Sequence, residues 1–275
     1  MRLSFFSFLY WVVFQFLPAP GKMIDPPPGK TDYYSGRTDP GNKRGCCKTD
    51  TGNVNPGKAV KMNEMTDTRY TYLALGDSYT IGTGVSIYET YPYQTVQILR
   101  KSGYPVSAPE IMARNGWTSG ELIEALKGNH FLPPYELVSL LIGVNNEYRG
   151  QNARAYEKEF EQLLKQCIHL AGDRPGRVFV LSIPDWSVTP FGQNSLPDAA
   201  GRDQKKVAAE IDAFNGINRN IADLYRVNYL DITPHTRIAG KDPSCLATDF
   251  LHPSGKEYGT WSGALADLMA GKLDQ

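Results

Sequence analysis

The chain has 275 residues, of which 41% are hydrophobic, so it can bury the core of one sizeable domain plus an appendage. Lys and Arg together number 29, as do Asp and Glu, and this balance argues against nucleic acid or an anionic membrane surface as a partner. The sequence contains four cysteines, Cys46, Cys47, Cys167 and Cys245. Their spacing is not that of paired metal ligands, and it indicates neither a zinc site nor a disulfide framework. A disulfide from Cys46 or Cys47 to a more distant cysteine stays open as an alternative.

Residues 1–21 have the shape of a secretory signal peptide. Met1-Arg2 precedes an apolar run from Leu3 to Leu17, and the small residues Ala19 and Gly21 lie near a potential cleavage point. The run is short and contains polar residues, which disfavours a stable transmembrane helix. This interpretation predicts a secreted or periplasmic protein.

Two alternatives stay open for the amino terminus. The apolar run could remain as an uncleaved anchor, or translation could start at Met62 or Met65 and make the upstream sequence a spurious extension of a cytoplasmic protein. Residues 22–66 contain repeated Pro-Gly turns and scattered charges, with too little periodic hydrophobicity to offset the entropy lost on ordering. We predict a disordered linker over 22–66 and a folded domain over 67–275.

Strand-like and helix-like runs alternate from about residue 68, which is typical of a parallel α/β sheet. Five strands are predicted at 70–75, 111–113, 135–142, 177–183 and 228–231. Five helices are predicted at 91–101, 118–127, 153–170, 205–225 and 255–272. The order predicts a three-layer α/β/α sandwich with a five-stranded parallel sheet, whose ligand chemistry lies at the carboxyl ends of the strands.

Three stretches at those strand ends carry candidate chemistry. Ser78 follows the first strand in Gly76-Asp77-Ser78, a tripeptide that by itself is more typical of a plain turn. Gly116 precedes a helix capped by Thr118 or Ser119, so its backbone N–H could face a developing oxyanion, although an ordinary strand-to-helix turn has the same pattern. Asn145 follows the third strand on a predicted loop and offers an uncharged side-chain N–H donor.

Asp249 and His252 lie three residues apart just before the last helix. One tight turn would let the carboxylate accept a hydrogen bond from one ring nitrogen and leave the other nitrogen free to take a serine proton. Asp231 and His235 form a competing pair beside the fifth strand. Packing or surface positions are predicted for the remaining two histidines, His130 and His169.

As a set, the stretches at 76–79, 116, 143–146 and 249–252 resemble the four blocks of the SGNH (GDSL-type) hydrolase family, in the family's order, across residues 70 to about 272. The resemblance implies a flavodoxin-like fold and an esterase- or lipase-type serine hydrolase that uses no metal and no cofactor. It assigns Ser78 as the nucleophile, His252 as the general base and Asp249 as the residue that orients the base. The oxyanion hole would be formed by N–H groups of Ser78, Gly116 and Asn145.

One position departs from the family's pattern. The third block usually ends in Asn-Asp, whereas here Asn146 stands in the second place, which keeps the oxyanion donor but supplies no charge. Aromatic residues next to the blocks, Tyr79 and Trp117, and Trp186 after the fourth strand are predicted substrate walls. The expected substrate is a small-to-medium ester: a short-chain acyl ester, a lysophospholipid or an acetylated sugar. Two alternatives are an acyltransferase with the same triad and a non-catalytic carbohydrate- or lipid-binding module.

Overall fold

The computed structural model describes residues 69–193 and 202–275. The predicted signal peptide or extension at 1–21 and the predicted linker at 22–66 lie outside the described residues, as do Cys46 and Cys47. Every described residue belongs to one compact unit, Met62–Gln275. Cys167 and Cys245 are buried free thiols.

The described residues contain one sheet of five parallel strands, as the sequence predicts. The strands are β1 (Tyr72–Gly76), β2 (Glu110–Ala113), β3 (Leu137–Leu141), β4 (Val178–Leu181) and β5 (Asn228–Leu230). Their order across the sheet is β2-β1-β3-β4-β5. The strand order reverses beside β1, so the carboxyl ends of β1 and β3 flank the crevice where an open parallel sheet binds its ligand.

Eight α-helices lie within the described ranges. They are α1 (Ser78–Ile81), α2 (Tyr91–Lys101), α3 (Ser119–Lys127), α4 (Val144–Tyr148), α5 (Ala153–Leu170), α6 (Gln204–Tyr225), α7 (Thr233–Ala239) and α8 (Gly255–Leu273). The five predicted helices correspond to α2, α3, α5, α6 and α8. The other three have four, five and seven residues, too few for an apolar period of 3.6 residues to show in the sequence.

The helices form two layers, one on each face of the sheet. Helix α2 packs on α8, whereas α3 packs on α5 and α5 packs on α6. The crossover from β1 to β2 runs towards one edge of the sheet, whereas the crossovers that lead to β3, β4 and β5 run towards the other edge. Because all of them are right-handed, α2 lies on the opposite face of the sheet from α3, α5 and α6. This arrangement confirms the predicted α/β/α sandwich.

The central strands are buried on both faces because helices cover both. Every residue of β1, β3 and β4 is buried, whereas the edge strands β2 and β5 are partly exposed. A short polar network lies inside this core. The Ser139 hydroxyl of β3 is 2.8 Å from the Tyr72 hydroxyl and 3.4 Å from that of Tyr91, which in turn is 3.3 Å from Thr80 Oγ1. These contacts connect β1 and β3 to α1 and α2.

Helix α1 begins almost directly at the end of β1, and Gly76 makes this close approach possible. A Cβ atom on Gly76 would lie 2.1 Å from Thr80 Oγ1 and 2.3 Å from the Leu141 carbonyl oxygen, distances at which the backbone would have to move. Glycine therefore lets α1 fold back against the ends of β1 and β3. The predicted turn at this point is in fact a single turn of helix that begins at Ser78.

Asp77 caps the amino terminus of α1. Its Oδ1 accepts a hydrogen bond from the Tyr79 N–H at 3.0 Å, while Oδ2 is buried and has no hydrogen-bond partner in the described part of the chain. Burial raises the pKa of Asp77 from an ordinary 3.8 to about 7, although the Tyr79 N–H opposes the shift. The folded protein thus holds a proton on this carboxyl that the unfolded chain releases at lower pH.

We expect Asp77→Asn to flatten the pH dependence of stability. Because the folded-state pKa is raised, the favourable contribution of Asp77 is complete below its unfolded pKa and is lost as the pH rises towards about 7. The unfolding free energy of the variant minus that of wild type should therefore rise by up to about 4 kcal/mol from pH 4 to pH 8. Denaturant unfolding across this pH range measures the difference.

Asp267→Asn on the exposed side of α8 is the matched control, and its unfolding free energy should follow the wild-type pH profile. Parallel pH profiles for wild type and Asp77→Asn would contradict the raised pKa of Asp77.

Candidate active site

Ser78 is the first residue of α1, and its side chain faces a cavity at the carboxyl edge of the sheet. The residue is only 7% exposed, and no hydrogen bond to its hydroxyl is found within the described residues. A serine at the start of a helix also lies at the helix's positive end, where a developing negative charge is stabilised. The Ser78 hydroxyl is thus available to a molecule in the cavity.

Asp249 and His252 are brought together by the tight turn that the sequence predicts. Asp249 Oδ2 is 2.6 Å from His252 Nδ1, and Asp249 Oδ1 accepts hydrogen bonds from the backbone N–H groups of Leu251 and His252, both at 3.0 Å. Phe250 between them has a φ of 57°, a left-handed conformation that is uncommon for a bulky residue. One carboxylate therefore fixes both the turn and the imidazole.

These contacts also set the charge of the pair. Partial burial by itself raises the pKa of Asp249, but the hydrogen bonds from His252 and from the Leu251 N–H outweigh it and hold the pKa below its usual range. Asp249 is consequently ionised at neutral pH and its pairing fixes Nδ1, so Nε2 is the His252 nitrogen that remains available. The imidazole packs on the Tyr79 ring, with 4.9 Å between ring centroids.

Gly116 lies in a four-residue turn between β2 and α3. The Trp117 N–H donates to the Arg114 carbonyl at 3.2 Å, and Gly116 in third place has a φ of 79°, a conformation that glycine adopts without strain. The turn is held by α4. Asn145 Nδ2 donates to the Trp117 carbonyl at 3.0 Å, and Arg149 Nη2 donates to the Gly116 carbonyl at 2.6 Å.

Asn145 lies on the short helix α4, which has about one and a half turns, and not on the predicted loop. Its position on α4 brings it to the same cavity as Ser78, Gly116 and His252, as the sequence predicts. The Arg149 contact was not foreseen, because nothing in the sequence marked α4 as a helix that would place two side chains four residues apart against the same turn.

Asn146, where the resembled family has Asp, is fully buried and uses both ends of its amide. Its Oδ1 accepts from the Ser119 N–H at 3.0 Å, and its Nδ2 donates to Ser119 Oγ at 2.6 Å and also to Gln151 Oε1. These bonds join α4 to the first turn of α3 with neutral groups alone. Asn146 thus has a structural part at the site and brings no charge to it.

The cavity has a volume of about 210 Å³. It is lined by Ser78, Tyr79, Asn115, Gly116, Val144, Asn145, Tyr148, Trp186, Phe191, Leu251 and His252. Two of the three predicted wall residues, Tyr79 and Trp186, are among them. Trp117 is not among them; its side chain is partly buried and packs against the core.

The competing pair Asp231 and His235 is separated in the structure. Asp231 accepts hydrogen bonds from Ser182 Oγ at 3.0 Å and from Arg219 Nη2 at 2.8 Å, whereas His235 Nε2 lies 3.0 Å from a Glu257 carboxylate oxygen. Neither residue lines the cavity that contains Ser78.

Metal-binding clusters and membrane-spanning helices would point to other classes of function. No cluster of three or more His, Cys, Asp or Glu side chains suited to a metal ion occurs in the ranges 69–193 and 202–275. Among the helices of those same ranges, none combines the length and the apolar character that crossing a bilayer requires.

Comparison with known proteins identifies related folds. The chain is similar to an acetylxylan esterase from Geobacillus stearothermophilus, at 19% identity over 73% of this chain and 94% of that one, with a TM-score of 0.54. It is also similar to a psychrotrophic esterase from Pseudoalteromonas sp., at 17% identity over 74% and 99% of the two chains, with a TM-score of 0.55.

A lipase/acylhydrolase from Enterococcus faecalis is a third similar structure, at 17% identity over 74% of this chain and 96% of that chain, with a TM-score of 0.55. At such identities the likeness shows a shared fold. No curated protein sequence matches the chain significantly.

The family itself is shown by a sequence match. The model of the GDSL-like lipase/acylhydrolase family matches residues 74–259, which is more than half of the chain and includes Ser78, Gly116, Asn145, Asp249 and His252. The chain therefore belongs to the GDSL-like lipase/acylhydrolase family and is a carboxylic ester hydrolase.

Proposed function

We propose that the chain hydrolyses small, uncharged carboxylic esters through an acyl-serine intermediate on Ser78, with His252 as the general base and Asp249 as the residue that orients it. The observation that carries the proposal is the Asp249–His252 hydrogen bond at the cavity that Ser78 lines. With Nδ1 occupied, only Nε2 of the imidazole is left to accept the serine proton.

In the first half of the reaction, His252 removes the Ser78 proton as Ser78 Oγ attacks the ester carbonyl carbon. The tetrahedral intermediate collapses when His252 returns this proton to the leaving alcohol, and an acyl-serine remains. Water then attacks the acyl group with His252 again as base, and the carboxylic acid is released. Ionised Asp249 stabilises the imidazolium formed in each half.

The oxyanion would be stabilised by the backbone N–H groups of Ser78 and Gly116 and by the Asn145 amide. One N–H of that amide is hydrogen-bonded to the Trp117 carbonyl, so the second is left for the oxyanion. This arrangement keeps the Asn145 donor in place before the substrate binds, which is the condition for an electrostatic contribution to rate.

Substrate size and charge follow from the cavity. Its 210 Å³ is below the range of roughly 300–1,000 Å³ that is common for ligand pockets, which favours a short acyl ester or an acetylated sugar over a lysophospholipid. Among the described residues that line it there is no Asp, Glu, Lys or Arg, so a charged ester would lose hydration there without gaining a partner from them. One of the similar proteins is an acetylxylan esterase, which is consistent with a small acyl group.

The experiment that tests the mechanism is labelling with a phosphonate ester followed by peptide mass spectrometry. The solved Pseudoalteromonas esterase is a form inhibited by monoethylphosphonate, and such a reagent traps a nucleophile without knowledge of the natural substrate. We expect one phosphonyl adduct, on Ser78, and loss of labelling in His252→Ala. An adduct on another residue would refute the assignment of the nucleophile.

Ser78→Ala should lower kcat for a short-chain chromogenic ester by on the order of 10⁴-fold or more, because the covalent step is lost. Ser102→Ala at the exposed end of α2 is the matched control and should retain wild-type kcat. Turnover of the ester by Ser78→Ala at more than about 1% of the wild-type rate would exclude Ser78 as the nucleophile.

Asn145→Ala should lower kcat by about 100-fold or more and leave KM within about threefold, since the lost N–H acts on the transition state. Steady-state kinetics on the same ester measure both constants, with Asn129→Ala on the exposed surface as the control. A rise in KM without a fall in kcat would instead assign Asn145 to ground-state binding.

Across a panel of uncharged esters, kcat/KM should be highest for acetyl to butyryl groups and should fall steeply for chains of ten or more carbons, because the cavity has room for about seven non-hydrogen atoms. Added acceptor alcohols should yield less transfer product than free acid. Dominant transfer at low acceptor concentration would make the protein an acyltransferase with the same residues.

A further inference from the structure

Glu147 is a buried carboxylate that the proposed reaction does not use. It lies on α4, two residues after Asn145, and is only 2% exposed. It is absent from the described residues that line the cavity, and it forms no hydrogen bond or ion pair with Ser78 or His252. Burying a carboxylate is costly unless partners compensate, so what Glu147 contacts indicates why it is there.

The two oxygens of Glu147 have different partners. Oε2 accepts a hydrogen bond from Trp186 Nε1 at 2.7 Å, and Oε1 lies 2.6 Å from Arg202 Nη2, although not in the direction of a hydrogen bond. The Arg202 guanidinium also lies over the Trp186 ring, 5.6 Å from its centroid. Burial raises the pKa of Glu147, while Trp186 and Arg202 oppose this shift.

Trp186 in turn forms a wall of the cavity. Its ring lies edge-on to those of Tyr148 and Phe191, at centroid distances of 5.3 Å and 6.2 Å, and all three residues line the cavity. The indole is 3% exposed, and its one polar group is satisfied by Glu147. The hydrogen bond thus fixes which way the ring lies relative to the cavity.

The backbone around Trp186 is held separately. Asp185 Oδ2 accepts from Arg237 Nε at 2.8 Å, and Asp185 Oδ1 accepts from the Ser187 N–H at 3.0 Å, which anchors the short 3-10 helix Trp186–Val188. Loss of Glu147 would leave these backbone contacts in place, while it would free the ring and take one ion-pair partner from Arg202. An unpaired buried indole N–H would then favour ring positions in which the N–H finds another acceptor or water.

We propose that Glu147 is a positioning residue that fixes the Trp186 ring as the size-limiting wall of the ester-binding cavity, and so sets the largest ester that the enzyme turns over. The inference rests on the proposed function, because it concerns the substrate range of the same cavity. Glu147, a residue outside the cavity, thus controls ester size through its hydrogen bond to the Trp186 indole.

The test compares kcat/KM for octanoyl and acetyl esters of the same alcohol in each variant. Glu147→Leu fills similar volume but removes the acceptor, and should raise the octanoyl-to-acetyl ratio by about tenfold. Glu147→Gln keeps an acceptor for the indole N–H and should leave the ratio within about threefold of wild type. The ratio is independent of the fraction of folded enzyme, so a loss of stability alone does not change it.

Two further variants place the effect on Trp186. Trp186→Ala should raise the ratio at least as much as Glu147→Leu does. In a Trp186→Phe background, which has no indole N–H, Glu147→Leu should change the ratio by less than about threefold. Glu136→Gln is the matched control, since Glu136 likewise pairs with an arginine, Arg174, but lies just before β3 at the other end of the sheet, and its ratio should equal that of wild type.

An unchanged ratio in Glu147→Leu together with a raised ratio in Trp186→Ala would overturn the proposal. So would equal effects of Glu147→Leu with and without the indole.

A failure of the proposed function gives a different result, because wild type would then hydrolyse neither ester. The positioning of Trp186 is then measured by tryptophan fluorescence. For each protein, the emission spectrum without the Trp186→Phe change has the spectrum with that change subtracted from it, which leaves the emission of Trp186. We expect this difference spectrum to shift in Glu147→Leu and to stay unchanged in Glu136→Gln. An unshifted spectrum in Glu147→Leu would overturn the positioning role independently of any esterase activity.

Discussion

Hydrogen bonds from the five-residue helix α4 hold the turn that carries Gly116 against the carboxyl end of β3. Asn145 and Arg149 donate to two successive carbonyl groups of that turn, and Asn146 is bonded to the first residue of α3. A short helix has little stability of its own, so α4 keeps its place through these side-chain contacts. Two of the proposed oxyanion donors, Gly116 and Asn145, therefore depend on bonds between a turn and a short helix that are separate in the sequence.

The same helix also reaches the opposite side of the cavity. Glu147 accepts from the Trp186 indole, and Tyr148 packs edge-on against the same ring. Asn145, which we assign to stabilising the oxyanion, and Glu147, which we assign to limiting substrate size, thus lie on the same helix. Changes in α4 are expected to affect both properties unless, as with Glu147, the side chain contacts only one of the two sides.

Two carboxyl groups near the site, Asp77 and Glu147, are buried in places that raise their pKa. A core of this size would be more stable with apolar or neutral groups there. Each carboxyl instead has a local structural role, since Asp77 caps the helix that begins with Ser78 and Glu147 orients a wall of the cavity. Proteins commonly retain destabilising polar groups where the function of a site requires a defined geometry.

The sequence by itself determined the sheet and the five longer helices, because strand ends, caps and apolar periods are local patterns. It also predicted the candidate residues Ser78, Gly116, Asn145, Asp249 and His252, through the resemblance of their stretches to a family's blocks. It did not determine α4, the Arg149 and Glu147 contacts, or that Trp186 lines the cavity and Trp117 does not. These features depend on which side chains meet across β1, β3 and β4 after the chain has folded. Only the tertiary structure decided them, since contacts between distant segments leave no periodicity in the sequence.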